Sequence, residues 1–493
     1  MTTLPVPPSP LPDLLGDPRP AVLPPDLIAV LGARLSPSAV LTAGSVVQVA
    51  EVSDVVAALR LAGRHGVPVT VRGPGRVDDG AARRLVVDPG GLAEVTVSPA
   101  GWARVGAGVR WRTLADEAAP HGLTPITGAS AAERVADTVT GGGVGPLART
   151  YGLAADRVRA VELVTGDGVL RRVTPTDGAD LYWGVRGGGA ALGVVTAVEL
   201  DLLAAGPRYG GELHWAEADA ARVTEAWRTW SAGLPPQAGT SLLLTRPRQG
   251  DGEVAVRFAW SGEADDGGAL LDRLRAAAPA VRTDLASRGP AGLAVPGLAG
   301  GVESSLLLDR LSGGATGALL RAAGGSRPRT VEVRLLGGAL GWVPQSPSAV
   351  CHRDARLAVR VSGGAGAEDR AATRACAEEL AAALGGDLGG RTAAHGWGTT
   401  PDVLARTPPP AVRDRLAALA AATDPHRILE GAAPGGRSQR SSAARTTGEG
   451  RRATARPVSS ACSRWSTSSS RPDADSAVTE PASTRSTRTG SRP

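Results

Sequence analysis

Between residues 53 and 205, short apolar runs alternate with turns rich in glycine and proline. After Ser53 the spacing of apolar residues predicts a helix that Ser53 caps and Gly66 ends, with one apolar face formed by Val55, Val56, Leu59 and Ala62. β-Branched runs predict strands at 67–72, 85–88, 93–97, 102–109, 158–165 and 169–173, and a helix spans 113–121. Gly166-Asp167-Gly168 predicts a hairpin between the last two strands.

The pattern changes between residues 206 and 390. Strands predicted at 211–215, 240–245 and 253–260 alternate with amphipathic helices at 217–231 and 266–277. Such an order is typical of an α+β layer with a mostly antiparallel sheet. We therefore expect a second domain here.

The two ends of the chain differ from its centre. Residues 1–37 are rich in proline and predict an extended arm with one short helix at 25–35. From Glu430 onward Leu and Ile vanish, while Arg, Ser, Thr, Ala and Gly dominate. A segment of this composition buries too little apolar surface to offset its ordering entropy, so we expect residues 430–493 to be disordered.

The excess of basic over acidic residues is confined to that tail. The formal net charge is +6, and residues 430–493 alone hold eleven arginines and five acidic residues. The rest of the chain is neutral, which argues against a nucleic-acid-binding face on the folded body. The tail itself has three explanations: a solvated coil, which is favoured, an Arg-rich arm that tethers nucleic acid, or the product of a frame shift.

Two absences in the sequence exclude whole classes of chemistry. The chain has no lysine, which rules out Schiff-base lysine catalysis and a P-loop of the GxxxxGK[ST] kind. Its three cysteines show no CxxC spacing, which argues against a zinc site or a disulfide framework. With no apolar run long enough to cross a bilayer and no secretory signal, we expect a cytoplasmic protein without a membrane partner.

Two glycine turns are candidates for binding phosphate. Gly73-Pro74-Gly75-Arg76 follows a predicted strand, and Gly141-Gly142-Gly143-Val144-Gly145 lies further along the chain. Backbone N–H groups in such turns neutralise phosphate without an intervening side chain. In a chain with 66 glycines, either turn taken alone is more often a plain loop.

The order of several strings favours the phosphate-binding interpretation of the two turns. VSDVVAALRLAGRHGVPVTVRGPG, LVVDPGGLAEVTV, WARVGAGVRWRTLADEAAPHGL, GGGVGPLARTYGLAADRVRAVELVTGDGVL and DLYWGVRGGGAALGVVTAVEL follow one another between Leu41 and Leu200. Together they resemble the FAD-binding half of berberine-bridge-type (vanillyl-alcohol-oxidase-like) oxidoreductases. The string RLAALAAATDPHRIL resembles the family's last helix, which returns to the FAD domain.

The resemblance implies a fold and a set of cofactor-binding residues. The fold is α+β, with a PCMH-type FAD-binding domain at 38–205, a substrate domain at 206–395, a return to the FAD domain at 396–429 and a tail from 430. Residues of the two turns would line the pyrophosphate: Arg72, Gly73, Pro74, Gly75, Arg76, Gly141, Gly142, Gly143 and Gly145. Asp156, Gly193, Val194 and Val195 would lie along the adenosine and ribityl side.

This sequence departs from the family pattern at the flavin anchors. Arg76 stands where many members have a histidine bonded to the flavin, and no cysteine precedes residue 351 to form the second covalent link. The resemblance therefore implies FAD held noncovalently. Pro74 removes one N–H from the first turn, and the charged segment 133–137 replaces small residues, so that Asp137 could repel a phosphate.

The implied reaction is oxidation of a small organic substrate, with hydride passing to flavin N5 and then to dioxygen or another acceptor. VEVRLLGGALGWVPQSPSAVCHRDARLAVRV resembles a strand pair that faces the flavin, and His352 within it is the candidate base. A structural or surface histidine is the more common case. A second hypothesis stays open: a degenerate, redox-silent member that acts as a binding protein.

Overall fold

The computed structural model describes residues 23–42, 45–72, 84–293, 302–325, 327–364, 366–391 and 408–429. All of these belong to one compact unit. The glycine turn predicted at Gly73–Arg76, most of the N-terminal arm and the tail predicted from residue 430 lie outside the described residues.

The described residues form the following helices: α1 Pro25–Gly32, α2 Val52–His65, α3 Trp111–Ala118, α4 Val135–Gly141, α5 Ala148–Tyr151, α6 Ala179–Val185, α7 Ala220–Ser231, α8 Ala264–Leu270, α9 Asp272–Ala277, α10 Pro290–Leu293, α11 Gly313–Ala323, α12 Ala367–Leu384 and α13 Pro410–Thr423. None of them is long and apolar enough to cross a membrane.

The strands in the same ranges are β1 Val40–Thr42, β2 Val46–Gln48, β3 Val69–Val71, β4 Leu85–Asp88, β5 Val95–Ser98, β6 Trp102–Gly106, β7 Leu123–Thr124, β8 Val158–Val164, β9 Leu170–Val173, β10 Val194–Asp201, β11 Leu203–Ala204, β12 Tyr209–Ala216, β13 Ala238–Arg246, β14 Glu253–Trp260, β15 Arg282–Thr283, β16 Ala286–Ser287, β17 Val302–Leu308, β18 Arg329–Leu335, β19 Leu357–Gly363 and β20 Leu388–Arg391.

The first half of the chain contains two principal sheets. β1-β2-β4-β3 form a sheet in which β4 runs parallel to β2 and β3. Helix α2 packs its apolar face on this sheet through Val55, Leu59 and Ala62. β5-β6-β10-β8-β9 form a second sheet, which is antiparallel. The predicted hairpin at Gly166–Gly168 joins β8 and β9, as expected.

The predicted start of α2 is wrong by two residues, since Glu51 rather than Ser53 is the N-cap, while its end is confirmed. The helix begins at Val52, and Asp54 rather than Ser53 stabilises its start: the Asp54 carboxylate accepts hydrogen bonds from the backbone N–H groups of Ala50 and Glu51 at 2.9 Å. A third bond comes from Ser36 N at 2.6 Å and ties the preceding segment to the helix. Gly66 ends the helix with a left-handed φ of 62°.

The second half forms one large antiparallel sheet. Within the described residues it has nine strands in the order β15-β12-β14-β13-β18-β19-β17-β20, with β16 also paired to β12. Helices α7, α9, α11 and α12 cover one face and enclose an apolar core. The helix predicted at 266–277 is two helices, α8 and α9, which meet at the buried Leu271. The α+β fold class with a second, sheet-rich domain is confirmed.

Helix α13 returns to the first half. Its Leu416 and Leu419 pack against the core that surrounds the five-stranded sheet. After the helix, the Asp424 carboxylate accepts hydrogen bonds from the N–H groups of Ile428 and Leu429. Leu429 also forms a parallel bridge with Val69, the first residue of β3. The last described segment thus contacts both sheets of the first half.

Candidate functional site

The second predicted glycine turn follows α4 directly. The helix ends at Gly141, and Gly142 has a left-handed φ of 67°. At Gly145 the chain lies so close to the Thr127 carbonyl that an added Cβ would sit 2.0 Å from its oxygen. The turn therefore requires glycine for close backbone packing. Gly143 is buried, whereas Gly141 is exposed to solvent.

Gly193 precedes β10, the central strand of the five-stranded sheet, and Val194 and Val195 are its first two residues. Val194 belongs to the core beneath α2, and Val195 belongs to the core on the other side of the strand. The two valine side chains are therefore occupied in packing, which leaves their backbone as the part that can contact a ligand. Their assignment to the cofactor stays a prediction.

Asp156 is engaged by the protein itself. Arg353 donates two hydrogen bonds to its carboxylate, at 2.6 and 3.0 Å, and Leu153 N donates a third at 3.0 Å. This bidentate pair connects the first half of the chain to the segment after β18. The predicted contact of Asp156 with adenosine stays a prediction.

Arg72 and Arg134 both contact the Asp88 carboxylate. Arg72 is the last described residue before the first predicted glycine turn. Arg134 Nη2 lies 2.8 Å from Asp88 Oδ1, and Arg72 Nη1 lies 3.3 Å from Asp88 Oδ2. Arg134 also donates to the Arg72 carbonyl at 3.2 Å. Two guanidinium groups share a single carboxylate, so this cluster retains a positive charge that suits a phosphate.

Asp137 differs from the expectation that it repels a phosphate at neutral pH. Burial raises the pKa of this carboxyl to about 7, although the guanidiniums of Arg134 and Arg110 oppose the shift; Asp88 adds to it. The group is therefore protonated in much of the population near pH 7, which weakens the repulsion.

Buried polar atoms without partners test whether these segments fit a polar cofactor. Thr127 Oγ1, Asp137 Oδ2 and Thr196 Oγ1 are buried and find no hydrogen-bond partner among the residues that the structure describes. Thr127 contacts Gly145, and Thr196 follows Val195 in the chain. Because an unsatisfied buried polar atom is costly, a polar ligand beside these segments would relieve them. The segments that the resemblance assigns to FAD therefore fit it.

A cavity of about 340 Å³ lies between the Gly145 turn and the large sheet. Its wall from the first half includes Ala129, Val144 and Gly145, and its floor comes from β12, β13, β14 and β18. β13 approaches the turn closely, since a Cβ on Gly239 would sit 2.3 Å from the Pro146 carbonyl oxygen.

The strand register sets a row of polar side chains along this floor. Glu212 pairs with Arg257, Arg257 with Ser241, and Ser241 with Arg334 across four neighbouring strands. All four residues line the cavity. Arg257 Nε donates to Glu212 at 2.5 Å, and Arg334 Nη1 donates to the Val144 carbonyl at 2.6 Å. The row therefore connects the sheet to the glycine turn.

A buried carboxylate supports this row from β18, two residues before Arg334. Glu332 is 2% exposed and contacts Arg334 at 2.8 Å and Arg360 at 2.6 Å. Burial opposes its ionisation, but the guanidiniums of Arg334, Arg360 and Arg257 outweigh burial and hold the pKa of the carboxyl well below its usual range. Glu332 is thus an anion that orients two arginines.

A histidine links the row to the protein surface. His214 is buried, and its Nε2 lies 3.1 Å from Glu212 Oε2. Its Nδ1 contacts Glu253 and lies 2.9 Å from Arg282 Nη2. The side chains of Glu253 and Arg282 are largely exposed. Ionisable groups therefore lie between the cavity and solvent, but His214 Nε2 makes no hydrogen bond among the described residues.

Arg149 anchors the wall that the first half contributes to the cavity. It lies in α5, is buried, and donates to the carbonyl oxygens of Ala238, Leu336, Leu234 and Pro235. Four acceptors from the second half surround one guanidinium from the first half. This contact holds the wall and the floor of the cavity together.

Glu133 lies beneath the loop that contributes Ala129 to the cavity. Its carboxyl accepts hydrogen bonds from Ser130 N at 2.7 Å and from Thr138 Oγ1 at 3.0 Å. Burial raises the pKa of this carboxyl to about 8, against the lowering effect of both hydrogen bonds and of Arg334 and Arg360. Glu133 is therefore largely protonated at neutral pH.

The candidate base His352 is not among the residues that line the cavity. The predicted strand pair exists as β18 and β19, but Cys351, His352 and Arg353 precede β19, where His352 has a left-handed φ of 56°. His352 therefore lies outside the strand pair, and its catalytic role stays a prediction. Glu212, Arg257 and Arg334 were missed because single strands do not reveal which strands are neighbours.

No group of three or more potential metal ligands occurs in the part of the chain that the structure describes.

Known proteins resemble the first half of the chain in sequence. A family model for an FAD binding domain matches residues 43–174. An FAD-dependent monooxygenase of Fusarium proliferatum is 32% identical over 218 residues, which are 43% of this chain and 41% of the relative. (R)-6-Hydroxynicotine oxidase of Paenarthrobacter nicotinovorans is 33% identical over 196 residues, 38% of this chain and 40% of the relative. The match thus spans about two fifths of each relative's length.

Solved structures resemble about four fifths of the chain. A chitooligosaccharide oxidase superposes with a TM-score of 0.69 at 18% identity, and the match covers 82% of this chain and 97% of that one. A variant of berberine bridge enzyme has a TM-score of 0.69 at 15% identity, with coverage of 83% and 99%. At these identities the likeness establishes the fold.

Proposed function

Because the chain carries an FAD binding domain and has the fold of berberine-bridge-type flavoproteins, we propose that it is an FAD-dependent oxidoreductase of a small organic substrate. The observation that carries the proposal is the 340 Å³ cavity between the Gly145 turn and the large sheet. It joins backbone of the FAD binding domain to ionisable side chains of the second domain.

The groups in the cavity suit oxidation of an alcohol. When bound, FAD supplies a two-electron acceptor for the hydride that leaves the substrate carbon. The Glu212 carboxylate accepts the proton of the substrate hydroxyl, so that the C–O bond becomes C=O as the C–H bond breaks. Arg257 holds Glu212 in place through the 2.5 Å hydrogen bond. Dioxygen or another acceptor then receives the two electrons.

The proposal includes noncovalent FAD. Arg76 occupies the position of the family's histidyl anchor, and the first cysteine of the chain is Cys351. We expect acid precipitation of the purified protein to release the flavin absorption bands into the supernatant. Bands that stay with the precipitate would contradict noncovalent binding. A protein without flavin bands after incubation with excess FAD would contradict the redox function and favour the degenerate binding protein.

A substitution at Arg134 tests the basic cluster beside the first glycine turn. We expect Arg134→Gln to raise the Kd for FAD about 10- to 100-fold, because a charge-assisted hydrogen bond to phosphate is lost. Quenching of flavin fluorescence on titration with apoprotein measures the Kd. Arg172→Gln is the matched control, since Arg172 pairs with Glu199 on the five-stranded sheet. An unchanged Kd in Arg134→Gln would show that this guanidinium does not contact the cofactor.

The proposed location is the cytoplasm. It is supported by a low cysteine content without paired spacing, and Cys351 and Cys376 are free thiols in the structure. Fractionation of the producing cells, with blotting for the protein, tests this point.

A further inference from the structure

The charges at the cavity point to the chemical class of the substrate. Among the described residues, four arginines and two acidic residues line it: Arg149, Arg257, Arg288, Arg334, Glu212 and Asp284. Arg149 directs its donors to backbone carbonyls, so its positive charge has no paired carboxylate. The lining is positive on balance, and Glu332 beneath it is shared with Arg360.

Several guanidinium donors remain open to a ligand. Arg288 Nη2 lies 3.4 Å from Asp284 Oδ2 and donates to the Asp284 carbonyl, whereas Arg288 Nε is buried and has no hydrogen-bond partner within the described residues. Arg257 bonds Glu212 through Nε, while its Nη1 lies 3.8 Å from Glu332, beyond hydrogen-bond distance. Arg334 is held by Glu332 and by the Val144 carbonyl. The supporting groups thus orient the guanidiniums and leave donors unpaired.

We propose that the substrate is a small hydroxy acid whose carboxylate binds Arg257, with Arg288 and Arg334 completing the anion site. A planar carboxylate matches the fork of guanidinium N–H donors, and its charge compensates the excess at the cavity. A neutral alcohol would occupy the same space and leave these donors unsatisfied. The hydroxyl lies at Glu212, the acidic end of the row.

This inference rests on the proposed function, since the hydroxyl is the group oxidised there. The carboxylate is unchanged by the reaction. The hydroxyl carbon loses a hydride to bound FAD and the oxygen loses a proton to Glu212, so that a hydroxy acid becomes the corresponding oxo acid.

The experiment compares acids with their amides on the FAD-loaded enzyme without oxygen. Lactate, mandelate and gluconate are each paired with the corresponding primary amide, which keeps the hydroxyl and removes the charge. Loss of the visible flavin band gives the rate of reduction and the Kd. We expect at least one acid to react with a ratio of rate to Kd at least ~100-fold above that of its amide.

Two variants assign the discrimination to the cavity. Arg257→Gln is expected to reduce the preference for acid over amide at least ~10-fold, mainly through Kd. Arg172→Gln, the exposed control, should keep the preference of the unmodified enzyme. If Arg257→Gln changes the flavin's reduction potential but leaves the preference intact, the inference is overturned, because the arginine then acts on the cofactor.

The remaining outcomes separate this inference from the proposed function. If neutral alcohols or the amides reduce the flavin as well as the acids do, the inference fails and the oxidoreductase stands. If the enzyme reacts with none of the panel, and neither acetate nor benzoate perturbs its flavin spectrum, the inference also fails. A protein that binds no FAD, or whose flavin no alcohol, amine or sugar reduces, contradicts the proposed function itself.

Discussion

Glu212→Gln is expected to slow flavin reduction by substrate about 10²- to 10⁴-fold while FAD binding stays unchanged. The amide keeps an oxygen that accepts the hydrogen bond from Arg257, so the local geometry is retained, but it cannot take up a proton from the substrate hydroxyl. Anaerobic rapid mixing with the best substrate measures the rate, and a fluorescence titration measures FAD affinity.

The control for this variant is Glu217→Gln. Glu217 pairs with Arg246 outside the cavity and has a half-exposed side chain, so the same chemical change there should leave the rate within about 2-fold. If Glu212→Gln retains the normal rate, the base lies elsewhere, and His352 becomes the next residue to replace.

Much of the first half could be predicted because its signals are local. A β-branched run bounded by glycine and proline describes β4 at 85–88, and the helix that ends at Gly66 follows from one apolar stripe and one left-handed residue. The match at 43–174 confirms the resemblance to an FAD binding domain, and the likeness to berberine bridge enzyme confirms the fold.

The cavity could not be predicted in the same way. Glu212 and Arg334 are separated by more than a hundred residues and meet through the register of four strands. Within each strand the polar residue alternates with an apolar neighbour, which predicts only that one face is polar. Strand order is determined by packing across the whole sheet, so no local pattern distinguishes Arg257 from an ordinary surface arginine.

The sequence shows that segment 133–137 contains carboxyl groups, but it does not show whether they are protonated. The sequence predicts repulsion of phosphate by Asp137, and only burial changes that expectation. Glu133 lies four residues earlier, and its raised pKa likewise depends on its position under the loop at 128–130. Desolvation is a tertiary property, which a one-dimensional pattern does not contain.

Glu133 is expected to make the folded protein less stable as the pH rises from about 4.5 to about 8. Below this window the carboxyl is protonated in both the folded and the unfolded state. Within it the unfolded chain loses the proton while burial keeps it on the folded chain, so the free energy of unfolding falls. A shift of this size corresponds to about 3 to 5 kcal/mol by the time the folded-state pKa is passed.

Glu133→Gln should remove this dependence, because Gln stays neutral at every pH and its amide oxygen can still accept the hydrogen bond from Ser130 N. Urea unfolding of the FAD-loaded protein between about pH 5 and pH 9 measures the difference between variant and parent, which should grow in favour of the variant. Glu94→Gln is the matched control, since Glu94 has a largely exposed side chain. A difference that is constant with pH would mean that Glu133 ionises normally in the folded protein.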